Sequence, residues 1–449
     1  MTQQAKPNIL WICADQLRGQ ALSCMGDPNV NTPNIDRLAA EGFQFTHALS
    51  GTPWCTPFRG SLMTGRYPHR SGVPANHYSL PMDAGTIARS FRDNHYRTCY
   101  IGKWHLDGDR PHLNLQLPEN SERLRVIAPE HRGGFEDWWA YENNNRPFDC
   151  WVHTDSGSSG QTELFRLPGY ETDSLTDLLI DWLKARAKPQ QQPFFAVLSV
   201  QPPHNPYVAP EENMSRHHPS RIQFRANVPP VNRVRETAAR ELAGYYAAIE
   251  RLDWNVGRIR RVLQKTGLAD DTYIMFFSDH GDMHGSHGLF RKSSPWEEAI
   301  RIPFIIGGPS RDHQTRKMFD FPLNHVDIAP TTLGLCGIGK PEWMDGFDYS
   351  PWVLQKRPQL EAPDSAYMNI CIPSTVSYAV DRPYRGIVTR DGWKYCVLEG
   401  QPWLLFNLQE DPYELVNLAY VKAFHSERNR LQEQLKEWIV RTRDSFVLP

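Results

Sequence analysis

Five short apolar runs, each of strand length and each stopping at polar residues, constrain this chain more than any other feature. They fall at 8–15, 96–103, 194–200, 273–279 and 303–307. Runs that are apolar on both faces belong to strands buried between two layers. The stretches between them carry helical patterns at 35–41, 86–93 and 174–187. The longest pattern spans 237–265, where Leu242, Tyr246, Ile249, Leu252, Val256, Ile259 and Leu263 recur at three- and four-residue spacing. This alternation predicts an α/β fold: a large, mainly parallel mixed sheet flanked by helices. In such sheets ligands bind beyond the carboxyl ends of the strands, so the residues at which the runs stop are the first candidates for chemistry.

The tail reads differently. Residues 385–396 suggest a hairpin, 403–408 a further strand, and 424–443 an amphipathic helix. The expected organisation is an α/β catalytic domain over 1–365 and a small α+β subdomain, an antiparallel sheet plus helix, over 366–449. Segments 110–167 and 205–232 are rich in Pro, Arg and Asn and read as long loops. With 449 residues the chain can bury a large core, and its formal net charge of −2 offers no basic face for nucleic acid. No window approaches the roughly 18 consecutive apolar residues of a membrane span. Neither nucleic acid nor membrane is therefore an expected partner, and the sequence leaves the oligomeric state open. The N-terminus lacks the charged and then apolar stretches of an export signal, which makes the cytoplasm the expected location. The eight cysteines are scattered without C-x-x-C spacing, against a zinc knuckle or a disulfide framework.

The chemistry gathers in six places. Asp15-Gln16 ends the first apolar run, and Asp279-His280 ends another, within FFSDHGD. Oxygen-rich pairs of this kind suit a hard divalent cation: calcium first, with manganese or magnesium as alternatives. Cys55-Thr56-Pro57-Phe58-Arg59 combines a thiol with a proline that tolerates the first turn of a helix. A helix beginning near Pro57 would aim its free N–H groups at an anion beside residue 55, and Arg59 could fork onto the same anion. Gly102-Lys103-Trp104-His105-Leu106, Gln201-Pro202-Pro203-His204-Asn205-Pro206-Tyr207 and His287-Gly288-Leu289-Phe290-Arg291-Lys292 each follow an apolar run closely.

Together these motifs resemble those of the sulfatase family, in family order across residues 8–292, and the FNLQEDPYELVNL segment at 406–418 resembles its C-terminal tail. The resemblance implies an alkaline-phosphatase-like fold and oxidation of Cys55 to formylglycine by a modifying enzyme, a transient partner. It implies a cation held by Asp15, Gln16, Asp279, His280 and residue 55. It also implies that the aldehyde hydrate attacks the sulfur of a carbohydrate or aryl sulfate ester and is regenerated when its second hydroxyl is deprotonated. Lys103, His204 and Lys292 are then the substrate-binding groups; Arg59 and Lys103 orient the aldehyde carbon and the substrate. His105 is the base for release and His204, with Lys292, the acid for the departing alcohol.

Two departures bear on the substrate. Gln16 stands where the family commonly has Asp, and His280 where it commonly has Asn; both pairs also occur in relatives that hydrolyse phosphonate monoesters and phosphodiesters. Lys103 with His105 favours the sulfatase, because the phosphonate-cleaving relatives tend to lack that pair. An inactive binding protein with unmodified Cys55 is the third reading, with Phe58 where a small residue is common. The aromatic stretch 135–151, with Trp138, Trp139, Tyr141 and Trp151, could stack on a sugar or simply pack in the core.

Overall fold

β1 (Asn8–Asp15) is buried at every position, and its side chains divide by the two-residue period of a strand. Ile9, Trp11 and Cys13 enter one apolar cluster, while Leu10, Ile12 and Ala14 enter another. The strand thus lies in the middle of three layers. The computed structural model describes residues 6–108, 125–155, 162–187, 191–309, 317–356, 361–373 and 380–449.

Around β1 lie β2 (Phe43–Leu49), β3 (Arg97–Lys103), β4 (Asp137–Tyr141), β5 (Trp151–Asp155), β6 (Thr162–Arg166), β7 (Phe194–Pro203), β8 (Thr272–Ser278), β9 (Phe304–Gly307) and β10 (Lys317–Asn324). They form one sheet in the order β10-β2-β9-β8-β1-β7-β3-β4-β5-β6. The centre is parallel: β1 pairs in parallel with β7 and with β8, and β3 with β7 and β4. Four adjacent strands therefore end on the same edge, where Asp15, Lys103, Pro203 and Ser278 stand. The β1–β7 register slips beyond Ala14, pairing Asp15 with Pro203, an irregularity of the kind that re-aims side chains beside active sites.

Helix Cys55–Thr64 lies in the layer of Trp11, and helices Glu171–Arg186 and Asn232–Thr266 in the layer of Leu10. All ten residues of Cys55–Thr64 are buried, so it is a core helix rather than an amphipathic one. It starts at Cys55 itself, two residues before the start read from Pro57, and Phe58 N–H makes its first bond to Trp54 O at 3.0 Å. The long helix extends beyond the predicted 237–265 at its N-terminal end, where arginines mask its periodicity. The expected loop 110–167 contains β4, β5 and β6, because Trp138 and Tyr141 pack inward and leave no even alternation to read. Its stretches 109–124 and 156–161 lie outside the described residues. The strands β2 and β10, which neither periodicity nor turn residues revealed, complete one edge of the sheet. Among the described residues no helix is long and apolar enough to cross a membrane, and Cys13, Cys55, Cys99, Cys150, Cys336, Cys371 and Cys396 form no disulfide.

In the tail, β11 (Ser365–Ile370), β12 (Tyr384–Thr389), β13 (Trp393–Leu398) and β14 (Gln401–Asn407) form an antiparallel sheet in sequence order, followed by helix His425–Thr442. Alternate residues face opposite ways. Tyr367, Ile387, Tyr395 and Leu405 meet Leu431, Leu435 and Trp438 of the helix; Ala366, Met368, Val388 and Cys396 meet Leu49 and Ile300 of the main body. A buried ion cluster fastens this second face. Lys394 Nζ lies 2.8 Å from Glu297 Oε1 and 2.5 Å from Glu414 Oε1, and the Glu297 N–H donates to Glu414 Oε2 at 2.8 Å. Lys394→Met would leave two buried carboxylates facing each other. The expected cost is about 3–5 kcal/mol, read as a lower denaturation midpoint, and the triple variant with Glu297→Gln and Glu414→Gln should recover most of it.

Candidate active site

The parallel ends of β1 and β8 put two carboxylates side by side, and Arg59 reaches both from the core helix. Arg59 Nη2 lies 3.3 Å from Asp15 Oδ2 and 3.3 Å from Asp279 Oδ2; its Nη1 donates to Lys103 O at 2.9 Å and Ser199 Oγ at 2.8 Å. The guanidinium ends are thereby spent on protein groups. Arg59 braces the acidic pair from below instead of forking onto an anion beside residue 55. Lys103 Nζ adds a second cation, 2.7 Å from Asp15 Oδ2. Burial pushes the Asp15 carboxyl up, yet Lys103, His204, Lys292 and Arg59 outweigh it and hold it well below the usual carboxylate range.

Cys55 Sγ sits above this pair, 3.2 Å from His280 Nε2, 3.0 Å from Lys292 Nζ and 3.8 Å from Asp15 Oδ1. Burial and Asp15 raise the thiol, but Lys292, Lys103 and His280 bring it below its ordinary value. One ligand atom from each of Asp15, Cys55, Asp279 and His280 lies within 4.8 Å of the others, and all four residues are buried. Two carboxylates, an imidazole and the side chain of residue 55 suit a divalent cation. His280 Nδ1 donates to Gly281 O at 2.9 Å, which turns the Nε2 lone pair inward, as a metal-ligating ring requires.

Gln16 adjoins that cluster through Asp279 and Lys292. Its Oε1 accepts from Lys292 Nζ at 3.0 Å, and its Nε2 donates to Asp282 Oδ2 at 2.6 Å. Its backbone N–H donates to Asp279 Oδ1 at 3.0 Å. His105 and His204 are half-buried. Burial, Lys103 and Arg59 hold His105 well below the ordinary imidazole value; burial and Lys292 do the same for His204. His204 Nδ1 donates to Asn205 O at 2.7 Å, leaving Nε2 as the reactive nitrogen.

The motif glycines have steric reasons. A Cβ on Gly102, at φ +105°, would lie 1.9 Å from Ser199 O, and one on Gly281 would lie 1.9 Å from Glu298 O. Backbone strain collects here too: Gln16, His105, Arg291 and Ser293 adopt φ values of 68°, 56°, 71° and 65°. Sequence reasoning passed over Ser199, Asp282 and Tyr207. The last two lie inside quoted motifs, but nothing in the spacing tells which carboxylate faces the cluster and which supports it. Trp138 stacks on Tyr100 at 5.3 Å between centroids, and Trp139 and Trp151 pack against the opposite core layer. Those three tryptophans serve the core.

A mixed α/β sheet whose strand ends surround a thiol, an acidic pair and buried lysines defines a hydrolase of anionic esters. A family model described as Sulfatase matches residues 7–338, and one described as N-sulphoglucosamine sulphohydrolase, C-terminal, matches residues 285–442. The chain belongs to the sulfatase family and is a sulfuric ester hydrolase. It is 34% identical over 447 residues to an ulvan-active sulfatase of Formosa agariphila, covering 99% of this chain and 83% of that protein. It is 30% identical to an endo-4-O-sulfatase of Bacteroides thetaiotaomicron, covering 81% of this chain and 76% of that protein. A solved structure of the sulfatase yidJ from Bacteroides fragilis superposes with a TM-score of 0.86 at 29% identity, covering 99% of this chain and 98% of the other.

Two further carboxylates frame the site. Glu142 accepts the N–H groups of Leu106, Asp107 and Gly108, and Glu171 accepts that of Gln201 at 2.9 Å; burial raises each to about 7. A raised carboxyl binds its proton more tightly in the folded state, so its stabilisation is complete below pH 4.5 and is lost as pH rises through about 7. The melting temperature should fall between pH 5 and pH 8, and Glu171→Gln should flatten that slope in a thermal-shift series.

Proposed function

We propose that the chain hydrolyses a carbohydrate sulfate ester to the alcohol and inorganic sulfate, using residue 55 as nucleophile after oxidation of Cys55 to formylglycine. The observation that carries this reading is Cys55 Sγ beside His280, Asp15 and Asp279, with Lys292 at 3.0 Å. Asp15, Asp279, His280 and residue 55 would hold the divalent cation. We assign calcium from the family resemblance, although the His280 nitrogen also suits manganese. Such a cation supplies charge neutralisation and lowers the pKa of a hydroxyl at residue 55. The aldehyde hydrate supplies two hydroxyls on one carbon, one for attack and one whose deprotonation releases sulfate.

The remaining work falls to side chains. Lys103 and Lys292 spread positive charge over the nonbridging oxygens, while Arg59 fixes the two carboxylates beneath them. His105 takes the proton that frees the product. His204 begins neutral because burial and Lys292 disfavour its charged form. An arriving sulfate anion offsets Lys292 and lets Nε2 carry the proton for the leaving oxygen. The ulvan-active and endo-4-O-sulfatase relatives favour a sugar over a simple aryl group.

A second reading, a phosphonate monoester or phosphodiester hydrolase with the same nucleophile, is favoured by the pairs Asp15-Gln16 and Asp279-His280. The deciding experiment uses enzyme whose intact mass shows the loss of about 18 Da at residue 55. It is tested on sulfated sugars, aryl sulfates, phosphodiesters and phosphonates after loading with calcium, manganese or magnesium. Sugar sulfates should turn over fastest with calcium. Faster phosphonate or phosphodiester turnover would select the second reading, and an unmodified thiol in the native host would remove the activity altogether. His204→Ala should lower kcat on sugar sulfates by about 10²–10⁴-fold. The same variant should lose far less on 4-nitrophenyl sulfate, whose leaving group needs no proton.

A further inference from the structure

His105 follows the end of β3 and His204 the end of β7, while β4 lies on the far side of β3 from β7. Residues 142–145, which follow β4, nevertheless bond to both turns. Glu142 accepts the N–H groups of the three residues after His105: Leu106 at 3.2 Å, Asp107 at 2.9 Å and Gly108 at 3.1 Å. His105 itself stands at φ 56°, a backbone conformation that persists only where its surroundings impose it. Two residues further on, the same segment reaches β7. The Asn144 N–H donates to Gln201 Oε1 at 2.9 Å, and Gln201 Nε2 donates to Asn145 Oδ1 at 2.5 Å. Because a backbone N–H can only donate, the Gln201 amide has one permitted orientation. The Gln201 carbonyl accepts the His204 N–H at 3.0 Å. Buried Glu171 closes the ring: its Oε1 accepts the Gln201 N–H at 2.9 Å and also the Tyr141 hydroxyl, and its Oε2 accepts from Asn144 Nδ2 at 3.1 Å.

We infer that Glu142 and Gln201 are positioning residues joined by a strap, residues 142–145: Glu142 fixes the turn that presents His105, and Gln201 the turn that presents His204. This rests on the sulfatase reading, in which His105 frees sulfate from residue 55 and His204 protonates the leaving oxygen. The two tasks leave different kinetic marks. A displaced His204 costs most where the departing alcohol is a poor leaving group. A displaced His105 slows a step that comes after the alcohol has left. Neither mark is expected of a contact that only stabilises the fold.

The test uses the full chain with the residue 55 modification verified by mass, and compares a sugar sulfate with 4-nitrophenyl sulfate. Gln201→Leu should lower kcat on the sugar sulfate by about 10- to 100-fold, the scale of a catalytic group misplaced by about 1 Å, and should spare 4-nitrophenyl sulfate. Asn145 is exposed, so its variants report on the strap without disturbing the core. Asn145→Ala should give the same selective loss, and Asn145→Asp, which keeps an acceptor for Gln201 Nε2, should restore the sugar sulfate rate. Glu142→Gln turns an amide donor toward a backbone N–H. Its first turnover of 4-nitrophenyl sulfate should stay fast and later ones slow by about 10-fold, a burst of one 4-nitrophenol per enzyme. Equal losses on both esters in Q201L and N145A, or an E142Q enzyme without a burst, would overturn the inference. Should Q201L fail to fold, N145A against N145D still decides, since a purely structural contact leaves the preference between the two esters unchanged. A modified wild type that cleaves no sulfate ester would sink the proposed function instead.

Discussion

Everything at this site depends on keeping Asp15 and Asp279 side by side and out of water. Two buried anions repel each other and each loses its hydration, a combination that would protonate or expel one of them. Arg59 between them and Lys103 on Asp15 reverse that balance. The core helix that carries Arg59 starts at Cys55, so the group that stabilises the acids and the residue we propose as nucleophile are set by the same helical turn. A shift in that helix would disturb charge balance and nucleophile together.

The parallel centre of the sheet explains why the parts converge. Strands β8, β1, β7 and β3 pair in parallel with one another in that order, and each delivers its last residues to the same edge. Lys103 and Lys292 are thereby brought within hydrogen-bond reach of Asp15 and Cys55, far from them in the chain. Glycines at 102 and 281 allow backbones to close where any side chain would collide. The left-handed backbone at Gln16, His105, Arg291 and Ser293 is the strain such closure leaves behind.

The small C-terminal sheet does more than extend the chain. Its inner face packs on Leu49 and Ile300, and Lys394 joins Glu414 of the tail motif to Glu297, which follows Lys292 closely in the chain. The tail is thus fastened to the segment that follows the site lysine. This gives the DPYEL stretch a physical reason that its sequence does not disclose: Glu414 neutralises a buried lysine and caps the N–H of Glu297.

The sequence by itself determined the fold class, because continuous apolar runs alternating with helical periodicity have few other ways to be buried. It also brought forward Cys55, Asp15, Asp279, Lys103 and His204 as candidates, because they sit where such runs end or where a helix begins, and Lys292 through its motif. It could not decide how those groups divide their bonds. Gln16 reads as an oxygen donor beside Asp15, and Arg59 as an anion-binding fork. Only the tertiary structure turned Gln16 toward Lys292 and Asp282, and spent Arg59 on the acidic pair. Hydrogen-bond polarity between residues far apart in the chain depends on which atoms the packed sheet brings together, and spacing along one strand carries no record of it.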